Sequence, residues 1–409
     1  MKTINRMLLL ALLALLKVDA SIAQEASETE VLALTKQVSD LKEGDSHFMM
    51  VGLVTMGFVS QTTDNTLGGI KTTSKYNSMG DADRFEFSPM FLWRHGDKLL
   101  AEFEPSYAYD APSNSMQLGV NWADVSYYAA PGLIIRGGYL VLPFGTYTKR
   151  LAAGWINKLP SDPMGVDMAG SDFGFEAEGG FPLGKMKWSY DVSLSNGFAL
   201  GPDGQISGVG INAISRGKTA CGRLALLPIP NSSLEIGVSG LMGGLATPVG
   251  DTNIYNSPSV SMYAVDLNFV KNVKPLQINF KGQYSTSNVN NQNFSSTDPT
   301  QPKYTFNNTT ATYFAQLSVR PSQLKNKTLK KMELAFRYVD YKAPEHATWG
   351  QNYSEVDVSL DYWISWRTVL KVGYENIKSD GTTSLTTPSG LDGTSSTINR
   401  LIIQFSTEL

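Results

Sequence analysis

The chain has 409 residues, of which 17% are charged and 42% are hydrophobic, and its formal net charge is −3. The charged fraction lies below the ~25% of soluble domains, which favours a surface that faces lipid. The small net charge gives no sign of the clustered basic surface that nucleic-acid binding requires, and the single cysteine, Cys221, excludes an intrachain disulfide.

Residues 1–23 predict a secretory signal peptide. Two basic residues precede the apolar run Met7 to Leu16, and the small residues Ser21 to Ala23 suit cleavage after Ala23. Gln24 rather than cysteine follows, which argues against a lipoprotein anchor. The apolar run has about half of the roughly 20 residues that a membrane-spanning helix needs, and no later segment has such a run. The sequence therefore predicts export and no transmembrane helix.

Residues 24–45 predict a short periplasmic helical stub. Val31, Leu34, Val38 and Leu41 follow the 3-4-3 spacing of a coiled-coil seam. A segment of about fifteen residues is marginal as a lone helix. A coiled coil that joins copies of the chain is one interpretation, and a frayed amphipathic segment or a plug in the mouth of the following domain is the other.

Residues 46–409 alternate between apolar and polar side chains in about sixteen stretches, as in Val356 to Tyr362. This period of two indicates β-strands. The predicted strands span residues 47–60, 83–94, 98–109, 116–128, 133–142, 172–181, 185–196, 218–227, 233–242, 259–270, 276–286, 309–320, 329–341, 352–364, 366–378 and 396–408. An even number of such strands predicts an all-β fold, a transmembrane antiparallel up-and-down β-barrel.

The gaps between the predicted strands alternate between short and long along the chain. Short gaps such as 95–97 and 182–184 are rich in Gly, Pro, Asn and Asp, the residues of tight turns. Long polar gaps include 61–82, 197–217 and 379–395. Short periplasmic turns and long external loops are typical of outer-membrane barrels, which predicts that both chain ends lie inside the cell envelope.

One phase of each strand is apolar and the other carries charges, as where Phe280 lies between Asn279 and Lys281. A Lys or Arg on the mid-bilayer lipid face would cost about 2 to 4 kcal/mol, so the polar phase is predicted to face a water-filled lumen. The predicted pore-lining residues are Arg84, Glu102, Glu104, Arg136, Glu176, Glu178, Arg223, Lys281, Arg337, Asp357, Asp361 and Arg400. Others on this phase are Glu86, Asp124, Asp191, Glu235, Asp266, Glu333, Glu375, Arg320 and Lys371. Many of these charges can pair across strands, and the surplus of acids predicts a weak cation preference.

Residues 143–171 form a long gap of unusual composition, in which apolar side chains stand among charged ones. A loop folded into the lumen could pack such apolar groups on the inner wall. We therefore predict a constriction whose acids and bases sieve solutes; an external lid or a trimer contact is the alternative. The predicted constriction residues are Tyr147, Lys149, Arg150, Trp155, Lys158, Asp162 and Asp167.

Two segments of this region, Leu142 to Gly145 and Trp155 to Pro160, resemble porins related to the phosphate-selective porins O and P of Gram-negative bacteria, including Bacteroidetes. The resemblance implies an outer-membrane channel that forms a homotrimer. Two features depart from the family: acids outnumber bases in the predicted lumen, and the chain ends in Leu409 where such barrels end in Phe.

Enzymatic chemistry is not expected. His47, His95 and His346 fall at a strand start, in a periplasmic turn and in an external loop, so they cannot meet in one site. Asp162, Asp167 and Asp172 could supply oxygen ligands to Ca²⁺, but their wide spacing matches no calcium-binding loop, and no cofactor or metal is predicted. The predicted function is passive diffusion of small hydrophilic solutes and ions. An anion- or sugar-selective channel, in which Tyr147 and Trp155 could stack on sugar rings, and a closed structural or adhesin barrel are the alternatives. Expected partners are further copies of the chain, outer-membrane lipid, lipopolysaccharide and the solutes.

Overall fold

The computed structural model describes residues 45–67, 69–79, 85–110, 115–150, 153–201, 203–209, 218–246, 258–290, 305–347, 349–382 and 394–408. The predicted signal peptide, nearly all of the predicted stub and Arg84 lie outside these ranges. None of the helices within them is long and apolar enough to cross a membrane.

The alternating segments form antiparallel strands that pair with their neighbours along the chain. The strands are β1 (Ser46–Leu67), β2 (Ile70–Met79), β3 (Glu86–His95), β4 (Leu99–Asp110), β5 (Ser115–Ala130), β6 (Leu133–Val141), β7 (Ser171–Leu183), β8 (Met186–Ser195), β9 (Phe198–Leu200), β10 (Ile206–Val209), β11 (Thr219–Leu227), β12 (Leu234–Gly244), β13 (Ser259–Val273), β14 (Leu276–Val289), β15 (Thr309–Arg320), β16 (Met332–Lys342), β17 (Gln351–Trp363), β18 (Thr368–Gly381) and β19 (Thr394–Glu408). A short helix, α1 (Tyr147–Arg150), and a 3₁₀ turn, Leu329–Lys331, are the helical elements of the described residues.

The sheet closes on itself because β1 pairs with β19, from Leu53 opposite Glu408 to Leu67 opposite Thr394. Seventeen segments make up this sheet. Two of them, β2 and β3, pair with the upper and lower parts of β1 and together act as one wall strand, so the wall has sixteen strands. The predicted fold class, an antiparallel barrel of about sixteen strands, is confirmed. β9 and β10 form a separate small hairpin.

The prediction of a loop at residues 61–82 is wrong for most of that range. β1 continues to Leu67 and pairs residue by residue with β2, from Phe58 opposite Met79 to Leu67 opposite Ile70. This hairpin is mostly exposed and rich in Thr, Ser and Asn. Backbone pairing can continue beyond the bilayer without an apolar phase, so the alternation that identified the other strands is lost there.

Smaller corrections concern three other connections. The thirteenth predicted strand starts at Met332 because Leu329–Lys331 forms a 3₁₀ turn, and the fifteenth starts at Thr368 rather than Trp366. The predicted loop at residues 197–217 contains the β9–β10 hairpin.

Burial along the strands is the reverse of that in a soluble protein. On β16, Leu334 and Phe336 are 55% and 45% exposed, while Glu333 and Arg337 on the other phase are 5% and 0% exposed. Since the sheet is closed, the buried polar phase lies inside and the exposed apolar phase lies outside. The inside surface is therefore polar and the outside surface is suited to lipid.

The two ends of the barrel differ. Short turns join the strands at one end, here the short-turn end, and long connections join them at the other, the long-loop end. At the long-loop end, inward side chains of β11 to β14 form an apolar cluster with the β9–β10 hairpin. Its members include Phe198, Leu200, Leu241, Met262 and Phe306. This cluster fills part of the lumen mouth on one side of the barrel.

Candidate pore site

The connection between β6 and β7, residues 142–170, is called the inner loop here. It turns inward at Gly145, whose φ of +66° is in the region that favours glycine. A Cβ there would lie 2.4 Å from Oε1 of Gln283 on β14. The Gly145 N–H donates to Ser239 Oγ on β12 at 3.0 Å, and the Thr146 N–H donates to Gln283 Oε1 at 2.9 Å. The loop therefore begins against the inner wall.

Tyr147, one of the predicted constriction residues, anchors the next segment of the inner loop against the inner wall. It is 1% exposed, and its ring packs edge-on against Phe314 of β15 at 5.5 Å. Its hydroxyl donates to Asp162 Oδ1 at 2.7 Å, which ties the two halves of the inner loop together. Burial and the Asp162 carboxylate raise the pKa of Tyr147 well above its ordinary value, so the phenol remains a donor.

Three basic side chains of the wall hold the loop by its backbone. Lys281 Nζ donates to the Ile156 carbonyl at 3.0 Å, and Lys371 Nζ donates to the Leu159 carbonyl at 3.0 Å. Arg337 donates to the Ser161 carbonyl at 2.7 Å and, from its other terminal nitrogen, to Ser161 Oγ at 2.9 Å. Hydrogen bonds from charged donors are roughly twice as strong as neutral ones. These hydrogen bonds tie the inner loop to β14, β16 and β18, and together they are called the strap below.

Neutral contacts complete this strap. Gln404 Nε2 of β19 donates to the Pro160 carbonyl at 2.8 Å, and Thr312 Oγ1 of β15 donates to the Met164 carbonyl at 3.2 Å. Gly373 of β18 allows the close approach, since a Cβ there would lie 2.6 Å from Cγ of Pro160. The loop therefore lies on the wall from β14 to β19.

Much of the predicted pore lining is covered or paired. Arg337 binds Glu355 and Asp357 at 2.7 Å each, and Arg223 binds Glu235 and Asp266 at 2.6 Å each. The prediction that these side chains contact the water path is wrong for those that are buried: Glu176 (3% exposed), Arg223 (5%), Lys281 (2%), Arg337 (0%), Asp357 (0%) and Asp361 (0%). Glu102, Glu104, Arg136, Glu178 and Arg400 remain partly exposed.

Lys149 of α1 makes a second set of contacts between the inner loop and the wall. Its Nζ lies 2.7 Å from Glu176, 3.1 Å from Glu178 and 2.5 Å from Asp191, on β7 and β8. Burial acts to lower the pKa of Lys149, but the three carboxylates outweigh it and the pKa is raised. Three carboxylates this close could hold a metal ion; here one ammonium lies among them and offsets part of their charge. Arg136 adds a further ion pair to Glu178 at 3.0 Å.

The remaining predicted constriction residues lie at several places on the loop. Lys158 Nζ sits 4.2 Å from the centre of the Trp363 ring and 3.8 Å from Glu333, and burial lowers its pKa although Glu333 partly offsets the effect. Trp155 is partly buried, and Asp162 and Asp167 are exposed. The side chain of Arg150 lies outside the described part of the structure.

The wall next to the β19 side of the strap is acidic. In the strand order, β3 and β4 follow β19 and β1, and Glu86 of β3 and Glu102 and Glu104 of β4 are partly exposed there. Asn121 Nδ2 donates to Glu86 Oε1 at 3.4 Å and to Glu104 Oε1 at 3.2 Å. Glu86, Glu102 and Glu104 are called the acidic wall below.

Sequence reasoning did not single out Asn121. The β4–β5 register shifts beside Pro105, opposite Asn121, and this irregularity brings the amide to the acidic wall. A proline inside a predicted strand is the signal that could have located the bulge.

No protein-family model and no curated protein matches the chain. Solved structures with the same fold include an anion-selective porin from Comamonas acidovorans, with 12% identity, 88% of this chain and 100% of that chain covered, and a TM-score of 0.52. The outer membrane channel DcaP of Acinetobacter baumannii has 11% identity and a TM-score of 0.52, with 89% of this chain and 97% of that chain covered. OmpF of Salmonella typhi, in complex with daunomycin, has 12% identity and a TM-score of 0.50, with 88% of this chain and 97% of that chain covered. At these identities the likeness shows the porin fold alone.

Proposed function

We propose that this protein is a bacterial outer-membrane porin through which small hydrophilic solutes and ions diffuse, with a weak preference for cations. The observation that carries the proposal is the inverted burial of a closed sixteen-stranded sheet, apolar outside and polar inside. A barrel of this strand number has room for an aqueous channel beyond its own side chains. The proposal involves no catalytic step and no cofactor.

We further propose that the inner loop is the constriction. Its hydrogen bonds to β12, β14, β15, β16, β18 and β19 support a fixed position within the lumen. Asp162 and Asp167 are exposed on this loop. Charged groups at a narrow point act on permeating ions more strongly than the same groups in bulk water.

The cation preference follows from which charges are covered and which are exposed to the lumen. Lys281, Lys371 and Arg337 are at most 2% exposed and bind loop carbonyls. Next to the strap, the acidic wall keeps its carboxylates partly exposed. The covered bases argue against an anion-selective channel such as the one from Comamonas acidovorans, whose selectivity is a property of that protein.

Location and assembly belong to the same proposal. The predicted signal peptide and the apolar outer surface support insertion in the outer membrane, with the long-loop end outside the cell, in contact with lipid and lipopolysaccharide. The resemblance to trimeric porins favours a homotrimer, which the predicted stub would join. Crosslinking of the purified protein, with and without residues 25–42, tests this assembly.

Conductance in a planar lipid bilayer tests the channel function. Stable ohmic steps from the purified protein are expected. Vesicles that contain it should also admit small sugars at rates that fall with solute size. A properly folded barrel that gives no steps and no solute entry would contradict the proposal and favour a closed structural or adhesin barrel.

A further inference from the structure

The connection between β15 and β16, residues 321–331, is the longest of the short-turn-end connections that the structure describes. Its lysines are Lys325, Lys327, Lys330 and Lys331, and it contains no acid. Asn326 Oδ1 accepts from the Thr328 N–H at 2.9 Å and from the Leu329 N–H at 3.1 Å. The connection is therefore an ordered turn that presents several lysines together.

Hydrogen bonds join this connection to the turn on each side of it. The Gln323 N–H donates to the Pro275 carbonyl of the β13–β14 turn at 3.3 Å, and Lys331 Nζ donates to the Ile364 carbonyl of the β17–β18 turn at 3.2 Å. Three neighbouring turns thus form one surface. Its basic residues are called the basic ledge: Lys274, Lys325, Lys327, Lys330, Lys331 and Arg367.

The positive charge of the basic ledge has little counterpart in the protein. Residues 271–276, 320–331 and 363–368 contain no Asp or Glu. Glu408 of β19 forms an ion pair with Arg367. Glu333, which follows the ledge in the chain, belongs to the inner phase of β16 and accepts from Ser318 and Trp363 there. Like charges held side by side repel one another, so an anionic partner would stabilise this surface.

The outer face of the barrel beside the ledge is apolar and aromatic. Tyr362, Ile364 and Trp366 are 36%, 48% and 64% exposed. Lys331 Nζ lies 5.8 Å from the centre of the Tyr362 ring, and the Arg367 guanidinium lies 3.8 Å from the centre of the Trp366 ring. Aromatic girdles lie at the membrane–water interfaces of transmembrane barrels. A ligand that contacts both the ledge and this face needs an anionic head and an apolar tail.

We infer that the basic ledge binds anionic phospholipid, with the phosphate-diester headgroup against the lysines and the acyl chains along Tyr362 and Trp366. A free phosphate would meet the lysines but would leave the aromatic face uncovered, which favours the lipid. The inference rests on the membrane location within the proposed function, and it assigns a lipid of stated charge to one side of the barrel.

Copurification of lipid tests this inference. The purified full chain is reconstituted in vesicles of equal parts phosphatidylglycerol and phosphatidylcholine and extracted in mild detergent, and its bound lipids are measured by mass spectrometry. Retention of phosphatidylglycerol about tenfold over phosphatidylcholine is expected, since one lysine at an anionic surface corresponds to about a fivefold gain in affinity and the ledge has several, partly screened. A ratio close to one overturns the inference.

Paired variants locate the lipid. Lys327→Gln combined with Lys330→Gln should lower the ratio about fivefold. Lys185→Gln combined with Lys187→Gln is the matched control, because it removes the same charge from two exposed lysines of the β7–β8 turn at the same end. Heat-dependent gel mobility checks that each barrel is folded. An unchanged ratio in the ledge variant, or an equal fall in the control, would overturn the inference.

Glycerol phosphate distinguishes the lipid from its headgroup alone. Compared with sodium chloride of the same ionic strength, it should leave the ratio of bound lipids unchanged. Loss of phosphatidylglycerol in glycerol phosphate but not in sodium chloride would overturn the assignment to a lipid.

Tryptophan fluorescence tests the place of the acyl chains. Phosphatidylglycerol with brominated chains should quench the protein more than brominated phosphatidylcholine does, and Trp366→Phe should lose most of that difference; an undiminished difference would overturn the inference. Bilayer conductance separates the two proposals. A barrel that retains phosphatidylglycerol but does not conduct contradicts the channel alone, and a conducting channel without lipid preference contradicts the ledge alone.

Discussion

Arg337→Met is expected to destabilise the barrel and release the inner loop. Arg337 is 0% exposed and binds Glu355, Asp357 and Ser161. Methionine fills a similar volume but leaves two carboxylates buried without a cation. Breaking a buried ion pair in this way costs about 3–5 kcal/mol, a large part of the net stability of a typical protein, which is about 5–15 kcal/mol.

The free energy of unfolding in lipid vesicles, from denaturant titration followed by tryptophan fluorescence, measures the first effect. Single-channel recording measures the second, and the variant should show a larger and noisier conductance because its loop has lost two charged hydrogen bonds. The triple variant Arg337→Met, Glu355→Gln, Asp357→Asn is the control. It removes the unpaired charges and should recover most of the stability, yet it lacks the tie to Ser161 and should keep the noisy current.

An unfolding free energy within about 1 kcal/mol of the wild-type value would refute the ion-pair reasoning, since a broken buried pair costs several times more. A quiet current of wild-type size in both variants would refute the role of Arg337 in holding the loop.

Two further predictions concern Lys149 and Lys158, the two lysines of the inner loop. Lys149→Met should lower the thermal stability. Millimolar Ca²⁺ should restore part of it, because carboxylate oxygens of Glu176, Glu178 and Asp191 lie within 4.8 Å of one another. A melting temperature of the variant that does not change with Ca²⁺ would contradict this. Lys158 has a lowered pKa, so it loses its positive charge below pH 10.5 as the pH rises. Cation preference should therefore increase with pH more in the wild type than in Lys158→Met, and parallel pH profiles would contradict this.

The sequence was sufficient to predict the strands and their faces, because lipid enforces the alternation within the bilayer. Lys281 and Asp361 were assigned to the inner phase for this reason, and burial agrees. The hairpin of β1 and β2 was not predicted because the part that extends beyond the bilayer has no lipid-facing side and so does not require alternating apolar residues. Its residues pair through their backbones, which leave little signal in the side-chain pattern.

The site was less predictable than the fold. Arg337 and Ser161 are separated by 176 positions in the chain, so no local pattern shows that one holds the other. Phase analysis identifies which side chains point inward but not which of them the inner loop then covers. Tyr147 illustrates the same limit, since the sequence allowed its ring either to pack on the inner wall or to stack on sugars, and only the structure shows that it packs on Phe314.

The sign of the reversal potential in a potassium chloride gradient tests the central claim most directly, namely that the bases under the inner loop are covered while the acidic wall faces water. A conducting channel with a mild preference for potassium is the predicted result, and Glu102→Gln combined with Glu104→Gln should reduce that preference. A clear preference for chloride at neutral pH would contradict the claim.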